Sequence, residues 1–473
     1  MQQQQKIPVI IDTVLRLPIT IPEPIKEKFR YDLTHKNPKF EFALAQARGD
    51  RQKVRELGIQ EYVLSYAETP TYFCIPRGTG AYARVVLAEF GYSIEYIDRR
   101  VTSEPIKFYP QPWLKLRPHQ AKAREVISKF EQGVIEAPCG SGKTVLAIYE
   151  ASARRQRTLI LVHMKDLQQQ WIEQIKEKFI LEDATIGVIG DGRFEIGDIT
   201  VALVQSLSNA TPEQWAEIQR TFGTLLIDEC HRAPAETFMF CINRIPAKYR
   251  FGVSATPFRK DKMHFLLYEY IGSKIFVISD AELEDAGIIT SAKVIRVATD
   301  YFFDYTGVAT WSRMLNSIAA DKYRNAQILQ RILNEHKLGK KQIVLSERVE
   351  HCEMLGKILS EKFGVNAFVL HGKKDRVYRK DTLSTCREGD FDVLLATKLA
   401  DEALDVPCLN VVHLTCPSNN EGNLKQRVGR IRRMLSGKMT PTVYDYIDDK
   451  VKYLAKIWEC RARWYAEWGF EIT

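Results

Sequence analysis

The segment Val134-Ile-Glu-Ala-Pro-Cys-Gly-Ser-Gly-Lys-Thr144 passes from an apolar run into a glycine-rich turn, and then into a helical pattern from Val145 to Ala153. Backbone amides of such a turn, set at a helix N-terminus, form a concave anion site suited to a β-phosphate. Pro138, Gly140, Ser141 and Gly142 make the turn, Lys143 reaches the outer phosphates, and the Thr144 hydroxyl can ligate magnesium. Ala137 stands where the strict pattern has glycine. Further along, Leu225-Leu-Ile-Asp-Glu-Cys-His-Arg232 closes an apolar run with an acidic pair. Asp228 is placed to hold magnesium through water, and Glu229 to accept a proton from an attacking water. These residue types, in this order, imply hydrolysis of a nucleoside triphosphate.

Such residues need a rigid scaffold, and the hydropathy pattern supplies one twice. Short apolar runs at Thr158–Val162, Ile199–Val204, Thr224–Asp228 and Arg250–Ser254 alternate with amphipathic stretches such as Leu167–Phe179. A second set follows at Lys293–Val297, Gln342–Leu345, Ala367–Leu370, Asp392–Ala396 and Asn410–Leu414. Continuous apolar strands separated by helices are what a parallel sheet covered on both faces requires. The expected fold class is α/β: two tandem parallel-sheet domains, 109–286 and 287–473, with the seam near Glu284–Ile288. Residues 1–108 differ. They start proline-rich, alternate like a hairpin from Tyr62 to Pro76, and continue with a helix-like Ala81–Phe90 and a strand-like Ser93–Ile97. A small α+β accessory domain is expected there.

Composition narrows the function classes. At 473 residues the chain has room for roughly three domains of about 150 residues, which excludes a peptide hormone or a single binding module. With 45% hydrophobic and 27% charged residues it lies far from the disordered corner. The net charge of +9 favours a polyanionic partner, nucleic acid first. Nine scattered cysteines without a C-x-x-C pair argue against a disulfide framework or a zinc site. No apolar run of about eighteen residues is present, and the start, a polar glutamine run, is not a signal sequence. The expected setting is intracellular, the cytoplasm (a host's, for a phage-encoded chain), away from membranes.

Most of residues 114–435 can be followed, in order, through the motifs of a known family. Leu116-Arg-Pro-His-Gln120 precedes the phosphate loop. Leu161-Val-His-Met-Lys165 through Trp171, and Val204-Gln-Ser-Leu207, stand between it and the Asp-Glu-Cys-His sequence, which Ser254-Ala-Thr256 follows. Ile343–Ser346, Leu370–Gly372, Thr397–Asp405 and Gln426-Arg-Val-Gly-Arg-Ile-Arg-Arg433 come next. In these segments the chain resembles a superfamily 2 helicase, which implies two RecA-like domains, ATP and magnesium as cofactors, and a nucleic-acid partner. On that resemblance Gln120 contacts the adenine, Asp405 lies near the nucleotide, Gln426 reads the nucleotide or links the γ-phosphate to the Ser254 segment, Thr397 faces the nucleic-acid backbone, and Ser254 with Thr256 connects the two sites. Ala403 stands where a glycine is usual. Arg430 and Arg433, three residues apart, are expected on one helix face, aimed across an interdomain cleft at the γ-phosphate, where such an arginine is worth about 10³ to 10⁵ in rate.

Phe251-Gly-Val-Ser-Ala-Thr-Pro-Phe-Arg-Lys-Asp261 and the front of the chain, with Tyr72–Gly78 and Ile97–Arg100, resemble the branch holding the nucleotide-excision-repair helicase and the phage branch-migration helicases. That implies an ATP-dependent DNA motor which remodels duplex, forked or four-way-junction DNA in recombination, repair or replication, and the chain is expected to act as a monomer. The family's usual 3′ to 5′ polarity is expected. Arg77, Arg84, Arg99 and Arg100, interleaved with Tyr72, Tyr82 and Tyr92, are candidate DNA contacts, against the ordinary reading of such rings as core. The aromatic stretch Tyr301–Arg324 is read as a packed excursion of the second domain, with a strand-separating element as the other reading. An RNA helicase, a nucleotide-dependent clamp and the motor subunit of a restriction-type complex are the competing functions.

Overall fold

The computed structural model of the chain describes residues 5–232, 236–255, 263–397, 406–434 and 439–473. The chain divides into two compact units, 1–137 with 142–278, and 138–141 with 279–473. Each carries a parallel sheet of the RecA-like kind, and an N-terminal accessory region precedes the first.

In the first unit an eight-stranded sheet runs in the order Arg193–Glu195, Ile186–Gly190, Ile199–Leu203, Thr158–Val162, Thr224–Asp228, Tyr249–Ser254, Gln132–Glu136, Lys274–Val277. All neighbours are parallel except the terminal hairpin Ile186–Glu195. The central strands Thr158–Val162, Ile199–Leu203 and Thr224–Asp228 are buried at every position, which is why their sequences are mostly apolar rather than alternating. Leu161, Val204, Leu225, Ile227, Phe222 and Ile242 share one core.

The accessory region is built on a five-stranded sheet, Ala67–Glu68, Tyr72–Pro76, Val14–Pro18, Gln5–Ile11, Tyr92–Asp98. The hairpin expected around Glu68–Pro70 is present as Ala67–Glu68 against Tyr72–Pro76, whereas Tyr62–Leu64 pairs instead with Thr34–Lys36. The proline-rich start supplies two strands that its composition hid: Pro8 sits where Gln5–Ile11 pairs in parallel with Tyr92–Asp98.

Two of the proposed DNA-contacting arginines serve packing instead. Arg77 is 1% exposed; its guanidinium donates to the carbonyls of Ala247 and Lys248 and to Gln132 Oε1, tying the accessory region to the first parallel sheet. Burial, with the nearby charge of Arg250, pushes its pKa far below the ordinary arginine range. Arg100 is closed between Asp98 and Glu131, 2.7 Å from each. Tyr82 donates to the Asp32 carboxylate and packs with Tyr92 on the core that holds Phe29 and Phe73. Arg84 and Arg99 remain exposed.

The second unit has a seven-stranded, wholly parallel sheet: Ala367–Leu370, Val393–Ala396, Gln342–Leu345, Val411–Leu414, Thr442–Ile447, Lys293–Ala298, Glu471–Ile472. The expected strands recur here, joined by Glu471–Ile472 and by Thr442–Ile447, where Asp445 and the hydroxyls of Thr442, Tyr444 and Tyr446 break up the apolar run. Tyr301–Arg324 is a packed excursion: Tyr301, Met314, Leu315 and Ile318 bury against Val451, Leu454 and Ile457, and Tyr305 stacks on Tyr453 at 4.6 Å.

Candidate functional site

Three neighbouring strands of the first unit end together. Register pairs Ser254 with Glu136, and Val253 with Asp228, so the phosphate turn, the acidic pair and the Ser254 segment leave the same carboxyl edge. That edge is where ligands bind in open parallel sheets. Ala137 donates its amide to the Ser254 carbonyl at 2.9 Å and is fully buried, so the alanine at this position fits without disturbing the turn. Gly140 and Gly142 take φ of 89° and 76°, left-handed values that side chains resist. Between them Ser141 is buried, and the chain then enters the helix Lys143–Arg154 with Thr144 in its first turn.

Lys143 forms an ion pair with Glu229. Glu229 has φ of 45°, a left-handed backbone on a non-glycine residue at the end of its strand. Such a conformation costs of order 1–3 kcal/mol and persists where the surroundings over-determine it. Burial works to raise the Glu229 carboxyl, yet the Lys143 charge and the His231 imidazole 3.3 Å away hold it well below the usual range. Asp228, 2% exposed, is displaced upward by the same burial. His231 Nδ1 also lies 3.0 Å from Ser254 Oγ, which joins the acidic motif to the Ser254 segment. His163 is pushed down to about 4, by burial first and by Arg232 second.

Gln120 accepts a hydrogen bond from the Arg117 amide at 2.9 Å and donates to the Gly142 carbonyl at 3.3 Å. It therefore braces the phosphate turn from the helix Pro118–Ile127.

In the second unit Gln426 is buried on the helix Glu421–Gly429, which Asn420 caps. Arg430 and Arg433 do not share a helix face as their spacing suggested. The helix ends at Gly429, because backbone groups of the next residues pair elsewhere: the Thr290 amide donates to the Arg432 carbonyl, and Met434 to Ile288. Between the two, Arg432 is buried and salt-bridged to Asp280 at 2.7 Å and to Glu284 at 2.5 Å. The expected roles of Asp405 and Thr256, and the substitution at Ala403, lie outside the described residues.

One partner of the acidic pair escaped the reading of motifs. Trp171 donates its indole N–H to Asp228 Oδ2 at 2.8 Å, and both groups are buried. The available signal was spacing: Lys165, Gln168 and Trp171 stand three apart on one face of the helix Lys165–Lys178.

Comparison with known proteins follows the same division. The family model described as "Type III restriction enzyme, res subunit" matches residues 113–259, and "Helicase conserved C-terminal domain" matches 324–435. A putative ATP-dependent RNA helicase of Acanthamoeba polyphaga mimivirus is 30% identical over 70% of this chain; the chain spans 64% of that relative's length. The DNA 3'-5' helicase XPB of Kineococcus radiotolerans is 24% identical over 81% of this chain and 69% of its own. Among solved structures, S. cerevisiae Dbp5 bound to RNA and ADP BeF3 superposes with a TM-score of 0.55 at 14% identity, covering 76% of this chain and 90% of the other.

Proposed function

Because the chain belongs to the superfamily 2 helicases and is related to their XPB branch, an assignment that carries the ATP-driven motor architecture of that family, we propose that it is a DNA translocase acting on branched or duplex DNA. Fork and four-way-junction remodelling is the proposed activity. The observation carrying the choice of DNA is the similarity to XPB over 81% of the chain, more than the two motor domains alone would fill. Residues 1–108 are the proposed duplex-recognition domain, 109–286 and 287–473 the two motor domains, and the protein acts as a monomer. Exposed Arg84 and Arg99 supply phosphate contacts on the accessory region. Among the described residues no helix is long and apolar enough to cross a membrane.

In this proposal the amides of Gly140 to Lys143 and the Lys143 ammonium bind the phosphates. When ATP enters, the lysine exchanges Glu229 for the incoming oxygens, which frees that carboxylate to take the proton of the attacking water. The Thr144 hydroxyl and the Asp228 carboxylate are hard oxygen donors of the kind magnesium takes alongside substrate phosphates, so the residues present fit the ion. Bound there, magnesium would supply neutralisation of phosphate charge. Arg430 and Arg433 meet the charge that grows on the γ-phosphate.

A labelled four-way junction, incubated with protein and ATP, tests the proposal: conversion to duplex products, absent in Lys143→Ala, is the expected result, and an intact junction refutes it. The similarity to the mimivirus RNA helicase favours a second reading, an RNA motor. RNA duplex unwinding without any action on the junction would establish it.

A further inference from the structure

The helix Lys165–Lys178 meets the rest of its unit through a row of polar side chains. Lys165 pairs with Asp191 in the hairpin turn. Gln168 donates to the carbonyls of Ile189 and Val201 at 3.0 and 2.7 Å. Trp171 donates to Asp228 Oδ2 at 2.8 Å. The flanking Leu167, Ile172 and Ile175 are buried apolar residues on the same helix. A tryptophan in such a row adds what phenylalanine would not: a donor at a fixed angle on a ring with few accessible rotamers.

Asp228 takes two donors from the protein. Its Oδ2 receives the Trp171 indole and its Oδ1 the Glu229 amide at 3.0 Å. Each carboxylate oxygen has two acceptor directions, so two fixed donors at opposite oxygens define the carboxylate plane and leave one direction on each oxygen for an incoming group. The Glu229 amide is held in turn by that residue's left-handed backbone. Hydrogen bonds of this kind orient metal ligands, and their removal typically costs about 10–100-fold in metal affinity.

We propose that Trp171 is a positioning residue: its indole N–H holds the Asp228 carboxylate in the orientation that receives the magnesium–nucleotide complex. This rests on the reading of Asp228 as the magnesium-side carboxylate, and extends it to a residue that never touches nucleotide. Trp171→Phe keeps the ring and removes the donor. Binding of a fluorescent non-hydrolysable ATP analogue, titrated with magnesium, reads the effect without turnover.

The expected result is a magnesium requirement for half-maximal binding raised about 10-fold, with analogue affinity in EDTA unchanged. kcat should fall with KM for ATP at saturating magnesium within about two-fold. In an Asp228→Asn background the same substitution should have no further effect on the magnesium titration. An unchanged magnesium requirement, or an equal loss in the Asp228→Asn background, overturns the proposal and leaves Trp171 as packing alone. If Trp171→Phe does not fold, the seven tryptophan indole N–H resonances of the wild-type protein decide it. Asp228→Asn should move one of them, and a spectrum with none moved overturns the proposal. Failure of the wild-type protein to bind the analogue at all would instead remove the nucleotide reading beneath it.

Discussion

The two parallel sheets treat charge in opposite ways. In the first unit Lys143, Asp228 and Glu229 gather at the carboxyl ends of strands, with the lysine paired to a carboxylate that an incoming phosphate can displace. In the second, Asp445 lies within the strand Thr442–Ile447, closed against Arg461 and accepting from Tyr465 at 2.9 Å, while Asp448 takes Arg324 at 2.9 Å. Arg461, Asp445, Arg324 and Asp448 are each 2% exposed or less. The scaffold is the same. The Lys143–Glu229 pair faces a turn that an anion can enter and stays exchangeable, whereas Arg461 and Arg324 close Asp445 and Asp448 inside the packing.

Lys143→Ala should separate the two most sharply. ATP hydrolysis should fall at least about 10²-fold, the loss seen when a donor to transition-state charge is removed. Glu229 retains His231, so the thermal midpoint should move less than in any variant of the second unit's buried pairs. Arg461→Leu should do the reverse. It leaves Asp445 buried without its guanidinium, at a cost of about 3–5 kcal/mol by denaturant unfolding, and Arg461→Leu with Asp445→Leu should recover much of it. A silent Arg461→Leu would mean that the Arg461–Asp445 pair does not hold the second sheet together.

The buried histidines give a smaller effect with a definite sign. Burial holds His351 and His413 in the second unit at about 3, and His163 in the first at about 4. An unfolded histidine titrates near about 6.5. Between these values the unfolded chain binds protons that the folded chain refuses, so stability is complete above the unfolded value and is lost as pH falls through it. Denaturant midpoints should therefore drop between about pH 7.5 and about pH 5, and His413→Gln should flatten that slope. An unchanged slope in that variant would contradict the assignment. Smallest of all, Arg84→Ala should weaken duplex binding and lower the log–log salt slope by about 0.9, while the buried Arg77 should act on the thermal midpoint instead.

Much of this was legible in the amino-acid sequence, for an identifiable reason. The phosphate turn and the acidic pair are local: a few adjacent residues carry both the backbone conformation and the chemistry, as Gly140, Gly142 and Glu229 show. Strands buried on both faces announce themselves as unbroken apolar runs. What stayed hidden depends on distant partners. Arg77 reads as a surface cation until Ala247 and Lys248 offer their carbonyls. Trp171 reads only as the end of a motif segment until Asp228 is placed opposite its nitrogen. The spacing of Arg430 and Arg433 implied a helix face, but the pairing of Ile289 with Arg433 ends the helix first. The strand Gln5–Ile11 was obscured because Pro8 is uncommon in a sheet interior.

A nucleotide motor driven by nucleic acid should hydrolyse ATP fastest when its own track is present. ATP hydrolysis would be followed without nucleic acid and then with single-stranded DNA, duplex DNA, a fork, a four-way junction and RNA, with Lys143→Ala as the blank. Forks or junctions should stimulate hydrolysis strongly, and the variant should lack that stimulation. A rate that stays flat across every substrate, or that survives in Lys143→Ala, would contradict it.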